Sequence, residues 1–128
     1  DLIRTVNSAR VKFLYCTPHT FYFGDDTVAM LRECADVLAH VHIADTFNHK
    51  ASSGLRYIIN PPGSAARVHQ HLNIGQGEVP WDDVYRTLAE IGFDGIMTAC
   101  VFAWEDKADA SGTFMRAEMQ RYIDKYFK

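Results

Sequence analysis

The chain has 128 residues, a net charge of −3 and 48% hydrophobic residues, which is enough for one domain with a buried core. The mild acidity argues against a nucleic-acid groove, whose footprint is a strong basic patch. No apolar run nears the ~20 residues of a membrane span, and Phe13–Phe23 and Gly95–Trp104 are both too short.

The N-terminus starts at Asp1 rather than Met and lacks the basic-then-apolar order of a signal peptide. A processed, truncated or incomplete product is therefore expected. Three cysteines are an odd number, which argues against a disulfide framework and for a reducing cytoplasm.

Asp1–Asn7 reads as the end of a helix, with a turn at Ser8-Ala9-Arg10. Val11–Cys16 is a short apolar, β-prone run and predicts a buried strand. A loop rich in His, Thr and aromatic residues, Thr17–Gly24, comes next. Asp25 and Asp26 are placed to cap a helix over Thr27–Leu38, where Val28, Leu31, Ala35 and Leu38 recur at helical spacing.

His40–Ala44 predicts a second strand. Asp45–Pro80 is then far longer than the usual connection of about 4–6 residues, and long loops on a rigid scaffold tend to carry function. It holds the rigid turn Asn60-Pro61-Pro62-Gly63 and the pair Gly75-Gln76-Gly77, which reads as a tight turn rather than a phosphate-cradling loop.

A third helix starts near Trp81, with Pro80 and Asp82 as start signals and Val84, Leu88 and Ile91 inward, and Gly92 ends it. Gly95–Phe102 predicts a third strand, apolar on both faces. Ala110–Phe127 predicts a last helix whose stripe of Met115, Met119, Tyr122 and Tyr126 packs into the core. Strands alternating with helices in the order βαβαβα imply an α/β fold with a parallel sheet under outer helices.

In such folds functional groups gather at the C-terminal ends of strands. That rule selects Cys16 and His19 after the first strand, His40, His42 and Asp45 around the second, and Cys100 and Glu105 around the third. The long loop adds His49, Lys50, Arg56, His69 and His71. His40 and His42 are two apart and share one strand face.

Cys16, His42 and Cys100 offer soft and borderline ligands that three adjacent strands would bring to one ion. The alternative is that both thiols are small buried apolar groups. His19, in a loop past a strand end, is a substrate contact. Arg56 and Lys50 suit an anionic group or a solvated loop.

Three stretches carry a family resemblance. His40-Val41-His42-Ile43-Ala44-Asp45, Gly75-Gln76-Gly77-Glu78-Val79-Pro80-Trp81 and Ile91-Gly92-Phe93-Asp94-Gly95 resemble the His-x-His-x-x-Asp, Gly-x-Gly-x-x-x-Trp and Ile-Gly-Phe-x-Gly elements of xylose-isomerase-like sugar isomerases and epimerases. The myo-inositol catabolism branch is the nearest likeness, through Tyr15–Phe21, Arg56–Gly63 and Val68–His71.

The resemblance covers the whole chain as the last three βα units of a (β/α)8 TIM barrel, a fold that usually takes about 250 residues. Residues 1–128 would then be a partial barrel domain, its C-terminal half, completed by the missing half or by a homodimer partner. Open strand edges make the unpartnered chain prone to aggregation.

The resemblance also implies a divalent metal (Mn, Co, Mg or Zn) held by carboxylates and one His. His42 matches the His position, Cys16 stands at the Asp position and Cys100 at the final Glu position, so two expected acidic ligands are thiols. His19 matches the substrate-binding His.

The implied activity is isomerisation or epimerisation of a small sugar or polyol by proton transfer next to a carbonyl. His19, His71 and Glu105 are the candidate acid/base groups, and His19, Asp45, Asn48 and Arg56 the substrate contacts. The competing reading is a non-catalytic sugar- or metal-binding protein on the same scaffold. A zinc DNA-repair endonuclease of the same superfamily is disfavoured by the net charge.

Overall fold

A computed structural model of the protein describes residues 2–48 and 71–128, with only the backbone of Glu105. Helix α1 (Leu2–Val6) leads to strand β1 (Phe13–Cys16), the short helix α2 (Thr17–Phe21) and helix α3 (Thr27–Glu33). Strand β2 (Leu38–Ile43), helix α4 (Trp81–Glu90), strand β3 (Ile96–Ala99), a 3-10 turn (Glu105–Lys107) and helix α5 (Ala108–Tyr126) follow.

The strands form a parallel sheet in the order β1-β2-β3. The register sets Cys16 beside His42 and His42 beside Thr98. Alternation along each strand then separates two faces. Tyr15, Val41 and Ile43 enter the main core with Leu31 of α3, Trp81, Val84, Tyr85 and Leu88 of α4, and Met115, Met119 and Tyr122 of α5. Leu14, Cys16, His40, His42, Ile96 and Thr98 lie on the other face. There Leu14 is 42% and Ile96 64% exposed, so among the described residues this part of the face opposite the helices is open.

The helices are fixed by the residues that the sequence marks. Asp26 caps α3 by accepting from Ala29 N–H at 3.1 Å, whereas Asp25 does not. Gly92, at φ 68°, carries the left-handed turn that ends α4. The α5 stripe is core, with Tyr122 stacked on Tyr85 at 4.8 Å and 14°. Asp82 stands in the first turn of α4 and accepts from Lys125 Nζ and Tyr126 OH, which ties α4 to α5.

Several boundaries differ from expectation. The predicted loop Thr17–Gly24 contains α2, because Pro18 suits a first helical turn. The helix expected over Thr27–Leu38 stops at Glu33, and Leu38 opens β2 instead. Phe13 N–H donates to Val37 O at 2.8 Å, so the apolar residues Val37 and Leu38 join the sheet rather than another helical turn.

Strand β3 is shorter than Gly95–Phe102 and is open on one face rather than buried on both. The last helix starts two residues early, after the 3-10 turn. Among the described residues no helix is long and apolar enough to cross a membrane.

Candidate functional site

The C-terminal ends of the three strands are locked together before any functional side chain is placed. Thr17, fully buried, donates through Oγ1 to Ala44 O at 2.7 Å and pins the end of β1 to the end of β2. Cys100 N–H donates to Ile43 O at 3.0 Å, extending β3 along β2.

Asp45 and Leu72 exchange backbone bonds of 2.8 and 2.9 Å as an antiparallel bridge. His71 O accepts from Phe102 N–H at 3.0 Å and Ala103 N–H at 3.2 Å. The segment at His71 is thus clamped between the continuations of β2 and β3.

On this frame Cys16, His19 and His71 meet. Their ligand atoms all lie within 4.8 Å of one another. Cys16 Sγ is 3.6 Å from His71 Nε2, and the His19 and His71 rings stand edge-on at 5.1 Å.

Helix α2 brings His19 back over Cys16, three residues earlier, and Tyr15 OH fixes that turn through a 2.7 Å bond with Thr20 Oγ1. His71 is 1% exposed, with Phe102 stacked on its ring at 4.5 Å, whereas His19 is exposed. One imidazole is therefore fixed and the other faces solvent.

Burial pushes the Cys16 thiol up to about 12, and the neighbouring Cys100 adds to this while the His19 backbone N–H opposes it. Burial raises Cys100 as well. Both are neutral thiols near pH 7 and weak nucleophiles in that form.

His42 lies on the same open face, beside Cys16 in register. Its ring meets His40 at 5.1 Å, and His40 Nε2 bonds Thr98 Oγ1 at 2.7 Å. Burial, then the His40 charge, lowers the His42 pKa and favours neutral imidazole.

Asp45 holds a different place from the substrate contact expected of it. It is 1% exposed, and its carboxylate accepts four hydrogen bonds. Thr46 N–H (2.9 Å) and Val79 N–H (3.1 Å) donate to Oδ1, and Gly75 N–H (2.8 Å) and Trp81 Nε1–H (2.9 Å) to Oδ2. A carboxylate so saturated braces the Gly75–Trp81 turn and has no lone pair aimed at solvent. The Gly-x-Gly spacing belongs to the same hub. Gly75 has φ 84°, and a Cβ on Gly77 would sit 2.4 Å from Thr46 O and 2.5 Å from Asp45 Oδ1.

The predicted ligand set Cys16, His42 and Cys100 is therefore only partly convergent. Cys16 sits in the three-residue cluster, while His42 and Cys100 flank it and its other two members are His19 and His71. The physical reason is direction. His42 leaves the sheet side by side with Cys16, in lateral register, Cys100 lies past the end of β3 and out of that register as a neighbour of Cys16, and His19 and His71 reach over Cys16 from the elements beyond the strand end.

Asn48 donates its backbone N–H to Glu78 Oε2 at 2.9 Å. Glu105 opens the 3-10 turn, and its side chain lies outside the described residues, as do Arg56, His49, Lys50 and His69. Sequence reasoning placed His71 among the acid/base candidates but not beside Cys16. It also missed the Phe102 ring that fixes His71.

The donors assembled here are sulfur and nitrogen, which suit zinc or cobalt better than the oxygen-seeking magnesium or manganese. The chain matches the family described as xylose isomerase-like TIM barrel over residues 1–118. No curated protein matches it. With parallel strands under outer helices, and with that match spanning all but the end of α5, the chain belongs to the xylose isomerase-like TIM barrel family.

Proposed function

We propose that the protein is a sugar or polyol isomerase or epimerase of inositol-type carbohydrate catabolism, acting by proton transfer next to a carbonyl. The observation that supports this most is the pairing of a buried, ring-stacked imidazole with an exposed one at the C-terminal ends of parallel strands.

His71 takes the proton from the carbon next to the substrate carbonyl. The C–H pair becomes the C=C bond of an enediol, and the carbonyl π pair moves to its oxygen, which takes a proton from His19. Return of a proton to the former carbonyl carbon, with loss of the neighbouring hydroxyl proton, gives the isomer. Return to the original carbon from the other face gives the epimer. A divalent ion held by Cys16 and His42, side by side in register, would polarise the carbonyl oxygen. The three cysteines, all free, support a reducing cytoplasm.

The test is turnover of a panel of inositol-derived ketones, ketoses and aldoses. His71→Gln and His19→Gln are each expected to lower kcat by about 10²–10⁴-fold, the usual range for one acid/base group. Unchanged kcat in both would remove these residues from the chemistry.

The neutral thiols at two expected carboxylate positions favour one second reading, a sugar-binding protein without turnover. It predicts calorimetric binding of the same panel and no product.

A further inference from the structure

Cys16, His19 and His71 form a group of donors within 4.8 Å of one another, the one such group of three or more His, Cys, Asp or Glu among the described residues. We propose that these three side chains hold one soft or borderline divalent ion, zinc above all, and leave its fourth position open. The ligand set differs from the carboxylate set that the family resemblance implies. The proposal stands apart from the isomerase reading and competes with it at these atoms, since an imidazole nitrogen that ligates an ion has no lone pair to take a proton; ion uptake tests the site, and deuterium exchange in chelator-stripped protein tests the acid/base roles.

The geometry is already close to that of a bound ion. A tetrahedral zinc with Zn–S near 2.3 Å and Zn–N near 2.05 Å sets a sulfur–nitrogen edge of about 3.6 Å and a nitrogen–nitrogen edge of about 3.4 Å. Cys16 Sγ and His71 Nε2 are 3.6 Å apart. The remaining edges, bounded by 4.8 Å, close by rotation of the exposed His19 side chain.

The other two ligands are preset. Cys16 ends β1, and His71 is held by two bonds to its backbone carbonyl and by the Phe102 ring. Such support of a ligand is what raises metal affinity. The ion displaces the Cys16 thiol proton to solvent as it binds, and thiolate with imidazole selects zinc or cobalt over magnesium or calcium. Three protein ligands with one open position is the pattern of catalytic rather than structural zinc, and the exposure of His19 puts that position on the solvent side.

The test is titration of chelator-stripped protein with cobalt(II), then zinc. Wild type is expected to take up about one ion per chain, with a thiolate-to-cobalt charge-transfer band in the near ultraviolet and visible bands of tetrahedral intensity. Zinc should abolish both, and excess magnesium neither.

Cys16→Ser should remove the charge-transfer band. His19→Gln and His71→Gln should each weaken binding by more than the roughly 10–100-fold that loss of a second-shell partner costs. Far-UV circular dichroism reports whether each variant is folded, and the wild-type band needs no variant at all.

Folded wild type without the band, or a band that survives Cys16→Ser, would overturn the proposal. So would binding that His42→Ala abolishes while His71→Gln spares it.

Discussion

Asp45 is the strongest prediction about the architecture beneath the site. Its two oxygens each receive two N–H donors at 2.8–3.1 Å, from Thr46, Gly75, Val79 and Trp81. Asp45→Asn keeps the shape but leaves one accepting oxygen, so two donors face an NH2 group. A buried donor left without an acceptor costs about 1–3 kcal/mol, and breaking a buried charged network by changing one partner costs about 3–5 kcal/mol.

Both lead to a loss of about 3–5 kcal/mol, which at a urea dependence near 2 kcal/mol/M lowers the unfolding midpoint by roughly 2 M. Trp81→Phe removes one donor and should couple to Asp45→Asn by about 0.5–3 kcal/mol in a double-mutant cycle. Equilibrium urea unfolding followed by tryptophan fluorescence and circular dichroism measures both. A midpoint for Asp45→Asn within about 0.5 M of wild type, or strict additivity with Trp81→Phe, would refute the structural role and return Asp45 to the list of substrate contacts.

Further outcomes follow from the same structure. Gly77→Ala places a methyl 2.4 Å from Thr46 O and should cost about 1–3 kcal/mol by overpacking, read in the same urea series. Leu88→Ala empties a fully buried site between α4 and the sheet and should cost about 2–5 kcal/mol, checked by thermal unfolding.

Burial lowers the His42 pKa below its ordinary value of 6.5. On acidification through that value the unfolded chain therefore takes up the proton first. Stability drops as the pH falls from about 6.5 towards the folded pKa and is flat above it, and urea midpoints across this range should slope less in His42→Asn. Identical slopes would contradict the assignment.

Among the described residues β1 and β3 are the outer strands, and Leu14 and Ile96 on them are exposed, which predicts self-association of the chain alone. A monomer in sedimentation velocity that also melts cooperatively by circular dichroism would contradict that.

The strands were legible because Val11–Cys16 and His40–Ala44 are short apolar runs next to turn residues, and Gly92 and Asp26 mark helix ends by local chemistry. The end of α3 was not. Leu38 continues the helical spacing of Val28, Leu31 and Ala35, and only pairing of Phe13 with Val37 decides that this stretch belongs to the sheet.

The site was half legible for a similar reason. The rule that strand ends carry function selects Cys16, His19 and His42 from sequence. Asp45, however, owes its role to donors up to 36 residues away, and Cys16 meets a histidine 55 residues along the chain. No local pattern encodes contacts at that range. The likeness of Gly75–Trp81 to a family element pointed to the hub without saying what it braces.

The central claim is proton transfer next to a carbonyl by the His19–His71 pair. Its most direct test is nuclear magnetic resonance of inositol-derived ketones and ketoses incubated with the protein in deuterium oxide. Deuterium entering the carbon next to the carbonyl with wild type, and about 10²-fold or more slowly with His71→Gln, is the predicted result. Binding of the same compounds with no deuterium exchange above the uncatalysed rate would contradict it.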